Sequence, residues 1–230
     1  MIYIERILFA GKFYIFLILA IAWDFTMVII GHVVNDPMPI EPAFYVMNVV
    51  PMLILALYLS MTLVSFEKEN ITIEAIFTVP GPVYKVWLYK LGVQFLTLFL
   101  VQILLALITF FFMVGFSIQA MVINAFVIIF CTANINFFLS TLFRSGYVAG
   151  LITIILLFFL LILSAILYEI PVIDGTYWNF FLSPFQIPAE MGEDVWIQRL
   201  WYNKIGMTGM GVVFMYFGLN RLRTREPFVA

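Results

Sequence analysis

One carboxylate lies inside a long apolar run: Asp24, within FYIFLILAIAWDFTMVIIG. An acid at such a depth is costly and marks a functional residue by default. It either serves a proton or substrate path, or hydrogen-bonds a neighbouring helix such as the one carrying Asn48 or Asn134. The other chemistry-bearing residues form no catalytic pattern. The single His, His32, excludes an HExxH zinc site and disfavours a Ser–His protease. An intramembrane aspartyl protease needs two acids within spans, and only Asp24 is well inside one. Cys131 stands alone in an apolar run, with no second cysteine and no ligand spacing, and is read as a small buried residue. The only Gly-Lys pair, Gly11 and Lys12, is followed by Phe13, so no phosphate-binding P-loop exists. The chain is therefore read as a non-enzyme with no metal site and no catalytic residue.

Neutral polar residues also fall within apolar runs: Asn48, Gln94, Gln102, Asn134 and Asn136. They either bond one helix to another or line a substrate path; Asp24, Asn48, Asn134 and Asn136 are the candidates for such a path. Gly146 and Gly150 form a G-x-x-x-G that permits close helix approach, within one chain or between two.

These residues need spans to position them. The chain has 230 residues, 65% of them hydrophobic and only 10% charged, with 26 Phe. A bilayer core about 30 Å thick takes about 20 apolar residues per helix. Six spans are predicted: Phe13 to Gly31, Phe44 to Ser65, Leu88 to Val114, Ser117 to Leu142, Tyr147 to Tyr168 and Trp201 to Asn220. Backbone groups in lipid must satisfy one another, and no barrel-like alternation is present, so the spans are helices. The fold class is an all-α integral membrane protein, a single transmembrane domain over residues 1–230. Gly31-His32-Val33 is not a small-x-small cleavage pattern, so no cleavable signal is expected.

Lys and Arg orient the spans, because basic residues stay cytoplasmic. With the N-terminus inside, nine of the 11 basic residues face the cytoplasm, and only Arg199 and Lys204 lie outside. Both termini are then cytoplasmic and the protein belongs in a cell membrane, plasma or inner. Residues 1–12 read as an amphipathic helix lying in the inner interface. Residues 169–204 read as an external hairpin or cap, acidic and aromatic and broken by Pro171, Pro184 and Pro188. A net charge of −2 argues against a nucleic-acid partner.

The polar island of residues 66–90, FEKENITIEAIFTVPGPVYKVWLYK, holds six of the 24 Asp, Glu, Lys and Arg residues. Asn70 can cap a short helix to Val79, which Pro80 and Gly81 end. Ile73 and Phe77 share one face with Ile76 beside them. Glu67, Glu69 and Glu74 lie near the N-terminal end, where the helix dipole favours acid. Such a helix, parallel to the membrane, has the form of a docking knob between the second and third spans.

Several motifs together carry a family resemblance: Glu67 and Glu69, then Thr72-Ile73-Glu74, Ile76-Phe77, Pro80 and Lys90. The turn from Leu139 to Ser145 and the patch Leu182-Ser183-Pro184 add to it. On these the chain resembles the permease subunit of the type-2 ATP-binding-cassette (ABC) exporters over nearly its whole length. The resemblance implies a membrane-bound homodimer of permease chains with two copies of a separate ABC-type ATPase on the inner face. ATP and Mg would sit on the ATPase, with no cofactor on this chain. Glu67, Glu69, Thr72, Ile73, Glu74, Ile76, Phe77 and Arg144 are then expected to meet the ATPase, and Gly146 and Gly150 the second permease. The aromatic interior suits a hydrophobic or amphipathic cargo. The alternative is a proton- or ion-coupled secondary transporter using Asp24. That class shows internal repeats and several intramembrane charges, and the two halves of this chain show no echo of one another.

Overall fold

The computed structural model describes residues 13–34, 38–69, 84–143, 145–168, 175–188 and 191–223, the side chains of 65–69 and 168 excepted. The expected interfacial helix at 1–12, the docking helix at Asn70 to Val79 and Arg144 lie outside the described residues. All regular structure among the described residues is helical.

Helix α1 spans Phe13–Val34. Helix α2 opens with a short turn, Ile40–Ala43, passes through a π-helical segment, Phe44–Val49, and continues as an α-helix over Val50–Glu69. Helices α3, α4 and α5 cover Tyr84–Phe112, Ile118–Leu142 and Gly146–Tyr168. A 3₁₀ turn, Gly175–Tyr177, precedes α6, Glu193–Leu222. The first five helices are long and apolar enough to cross a membrane. Their lack of a polar face is what lipid contact requires, since a helix apolar all round is buried in protein or bilayer.

The sixth differs from the sequence expectation at its start. It begins at Glu193, well before Trp201, and is 30 residues long. Acidic Glu193 and Asp194 occupy its first turn and Arg221 its last, complementing the helix dipole at both ends. This helix contains the stretch expected as the sixth span, Trp201 to Asn220, and does not reach the apolarity of the other five.

Helix α4 is the hub. Its span is 67% buried, against 22% for α1 and for α5, and it packs against α2, α3, α5 and α6. Close approach of α6 depends on missing side chains. A Cβ on Gly211 would stand 2.8 Å from Phe130 Cε1, and one on Gly218 would stand 2.5 Å from Phe137 Cε1. Small residues at such seams let helices gain van der Waals contact, which drives association where water does not. Leu63, Val64, Trp87, Leu91, Phe137 and Leu222 close one end of the bundle. The same end carries Lys90, whose ammonium lies 4.8 Å from the Trp87 ring, and Arg221, whose Nε donates to Thr141 O at 3.2 Å. We call this the basic end.

The π segment in α2 has a local cause. Pro51 has no N–H to donate, and the Val50 N–H is already given to Tyr45 O. Val46 O is thus left without its usual helical donor, and it accepts the Trp23 indole of α1 at 2.8 Å. A backbone group freed by proline is satisfied by a neighbouring helix, as lipid surroundings demand.

Candidate functional site

Two polar networks and one isolated acid occupy the bundle interior. The first network joins α2 to α3. Asn48 Nδ2 donates to Thr109 Oγ1 at 3.1 Å, and Gln102 Nε2 donates to Asn48 Oδ1 at 3.0 Å. The second joins α2, α4 and α5. Asn136 Nδ2 donates to Ser60 Oγ at 2.7 Å and to Leu57 O at 3.0 Å, and Thr153 Oγ1 donates to Asn136 Oδ1 at 3.0 Å. No hydrogen bond links the two sets. Interhelical hydrogen bonds in membranes average about 0.6 kcal/mol, so these networks fix helix register more than they add stability.

Asn134 belongs to neither network. Its Nδ2 bonds its own helix at Phe130 O, 2.9 Å, and its Oδ1 is buried with no partner. It lies one turn from Phe130 and about one turn from Phe137, the rings against Gly211 and Gly218, and so faces the α4–α6 seam. Gln94 of α3 is buried with both amide atoms unpartnered.

Asp24 is fully buried and neither carboxyl oxygen has a hydrogen-bond partner. The alternative of a bond to the Asn48 or Asn134 face is not realised: Asn48 bonds Thr109 and Gln102 and Asn134 bonds its own helix. Asp24 stands at the middle of α1, about 16 Å from either end at 1.5 Å per residue.

A third constellation, which sequence reasoning missed, clamps the segment 175–188 at the end of the bundle opposite the basic end. Lys204 Nζ, on a residue 5% exposed, donates to Leu182 O at 2.8 Å. Asn203 Nδ2 reaches Tyr177 O at 3.0 Å and Asn179 O at 2.9 Å. Tyr45 of α2 donates to Phe181 O at 2.7 Å, and Phe185 packs edge-on to Phe44 at 6.1 Å. The donors are side chains and the acceptors backbone carbonyls, so the clamp holds a chain path rather than a particular sequence. Lys204 shares a helix face with Gly211 and Gly218 at heptad spacing, a signal that places it inward and that the charge itself obscured.

The remaining predicted residues divide simply. Glu67 and Glu69 fall in the last turns of α2. Thr72, Ile73, Glu74, Ile76, Phe77 and Arg144 lie outside the described residues. Gly150 is used within the chain, since a Cβ there would meet Met61 Sδ of α2 at 3.3 Å, and Gly146 is buried beside it. Among the described residues no three of His, Cys, Asp and Glu gather as metal ligands. No family model, curated protein or solved structure matches this chain.

Proposed function

We propose that this chain is the membrane-spanning permease subunit of an ATP-driven ABC exporter. In this reading it moves a hydrophobic or amphipathic cargo out of the cytoplasm with energy from a separate ATPase. Six spans pair with six of a second copy, both termini face the cytoplasm, and two ATPases dock on the inner face. The assembled complex hydrolyses ATP, with Mg, on the ATPase subunits alone.

The observation that carries this reading is how the polar island is mounted. Past Val64 the helix α2 continues to Glu69, and Glu67, Lys68 and Glu69 form its last residues. Five further residues add about 7 Å of rigid stalk. On the far side of the island, α3 starts at Tyr84 with Lys85 in its first turn. Two helices that run deep into the bundle therefore lead directly to the docking motif. A push on the island reaches the Asn48–Gln102–Thr109 bonds, which tie these same two helices together. Docking couples two sites only when the states contact the docking element differently. Closure of the ATPases on Ile73, Glu74, Ile76 and Phe77, with Glu67, Glu69, Thr72 and Arg144 flanking, supplies that difference. The clamp on residues 175–188 then forms the outer closure of the path.

Tagged chain purified in mild detergent should bring down a cytosolic ATPase, two ATPase copies per two permease chains. Recovery of the folded chain alone, from cells that contain its neighbours, counts against the reading.

A second reading is favoured by one observation, the unpartnered carboxyl of Asp24. A buried acid without a donor is the signature expected of a proton- or ion-coupled secondary transporter. One such group among the described spans is thin equipment for a coupled carrier, and that reading leaves the island without a role.

A further inference from the structure

We propose that Asp24, with the Asn48–Gln102–Thr109 cluster, binds the protonated amine of a cationic amphiphile. This names the cargo class and rests on the transport reading above.

The placement follows from three contacts. Ala20, Asp24 and Val28 form one buried stripe of α1, while Trp23 and Phe25 beside it are 42% and 41% exposed. Val28 packs with Ala43 and Met47 of α2, and Met27 and Met113 border the same cluster. One turn toward the basic end from that cluster, α1 presents Asp24, α2 presents Asn48 to Pro51, and α3 presents Thr109. The Trp23 indole on Val46 O and the Phe25 ring 5.8 Å from Phe112 tie the residues on either side of Asp24 to the same two helices.

Each amide nitrogen at this level has a partner and keeps a second N–H, whereas three oxygens have no partner at all. Gln102 Nε2 is given to Asn48, Asn48 Nδ2 to Thr109, and the Thr109 hydroxyl to Leu105 O at 3.0 Å. The buried atoms left without partners are Asp24 Oδ1, Asp24 Oδ2 and Gln102 Oε1. All three are oxygens, and a carboxylate accepts but does not donate. The complement is a group that donates several hydrogen bonds and carries positive charge, which describes an ammonium. An unpaired carboxylate is costly at this depth, and a cationic ligand removes that cost. An uncharged or anionic head group would leave it in place. The wall here is also the π-helical part of α2, a local irregularity often found at functional sites.

The test uses the full chain in nanodiscs of uncharged phosphatidylcholine, without any ATPase. The probes are dansylcadaverine, a primary amine, and its N-acetylated, uncharged counterpart. The wild type should bind the amine saturably and at least tenfold more tightly than the acetylated probe. Asp24→Asn should erase that preference without changing the acetylated probe. Gln102→Leu, which keeps the Asp24 charge, should reduce the preference several-fold. An unchanged preference in both variants, or none in the wild type, overturns the proposal. Displacement of the amine by millimolar NaCl or KCl puts an alkali ion in its place and overturns it also. Because no ATPase is present, failure here leaves the ATP-driven reading standing, and failure of ATPase capture leaves this site standing.

Discussion

On the exporter reading proposed above, Phe77→Asp will strip the chain of a partner ATPase while leaving it in the membrane. Phe77 and Ile73 form the apolar face of the proposed docking helix, and Ile76 lies beside them. Buried aromatic anchors at protein interfaces cost 2 kcal/mol or more when removed. A carboxylate at the same point adds the penalty of an unpaired charge in an apolar contact. A loss of about 3 kcal/mol corresponds to roughly a 100-fold weaker complex. Ile73→Asp should act in the same way. Pull-down of tagged chain from solubilised membranes, with membrane content measured in parallel, reads both quantities. The proposed docking helix belongs to the polar loop between the second and third spans and not to an apolar run, so chain levels should stay near wild type. ATPase retention in both variants sinks the docking assignment.

Gly218→Leu will have the largest effect on the bundle itself. The first side-chain atom alone would press within 2.5 Å of Phe137 Cε1 and 2.8 Å of its Cδ1. Phe137 is fully buried, on α4, with Leu91 and Leu222 around it, and has no free direction in which to swing. Overpacking of this kind costs about 3 kcal/mol, which in a chain of this length lowers the melting temperature by roughly 10 °C. Gly211→Leu meets Phe130 and Cys131 and should behave similarly. Gly209→Leu, where a Cβ would meet nothing within 4 Å, is the control and should melt like the wild type. Thermal unfolding in detergent, followed by size-exclusion recovery, compares the three. Equal stability of Gly218→Leu and Gly209→Leu would mean that α4 and α6 do not meet along this seam.

The five apolar helices were legible in the sequence because bilayer thickness sets a length and composition that few soluble helices satisfy. The start of α6 was not, for a definite reason. Glu193 and Asp194 read as part of an acidic external hairpin or cap, whereas in the structure they are the dipole-compensating first turn of a helix. The inward facing of Lys204 was not read. A lysine reads as exposed until the glycines at heptad spacing below it show which face is inward. Asp24 was visible as an anomaly, but its lack of a partner could not be seen. The partners that Asn48 takes instead, Thr109 and Gln102, follow from the register of α2 against α3. The bond from Trp23 to Val46 O belongs to the same class. Pro51 announces a free carbonyl from sequence alone, while the identity of its donor is decided by how α1 lies on α2. The G-x-x-x-G at Gly146 and Gly150 left its partner open; a Cβ on Gly150 would meet Met61 of the same chain.

The central claim is that movement of cargo through this chain is driven by ATP on a partner and not by an ion gradient. Membrane vesicles oriented inside-out and holding the chain with its ATPase test it in one measurement, the uptake of a fluorescent cationic amphiphile. Uptake should require ATP, survive a protonophore, and vanish with Phe77→Asp. Uptake that continues without ATP but collapses with the proton gradient would contradict the claim and make this chain a carrier in its own right.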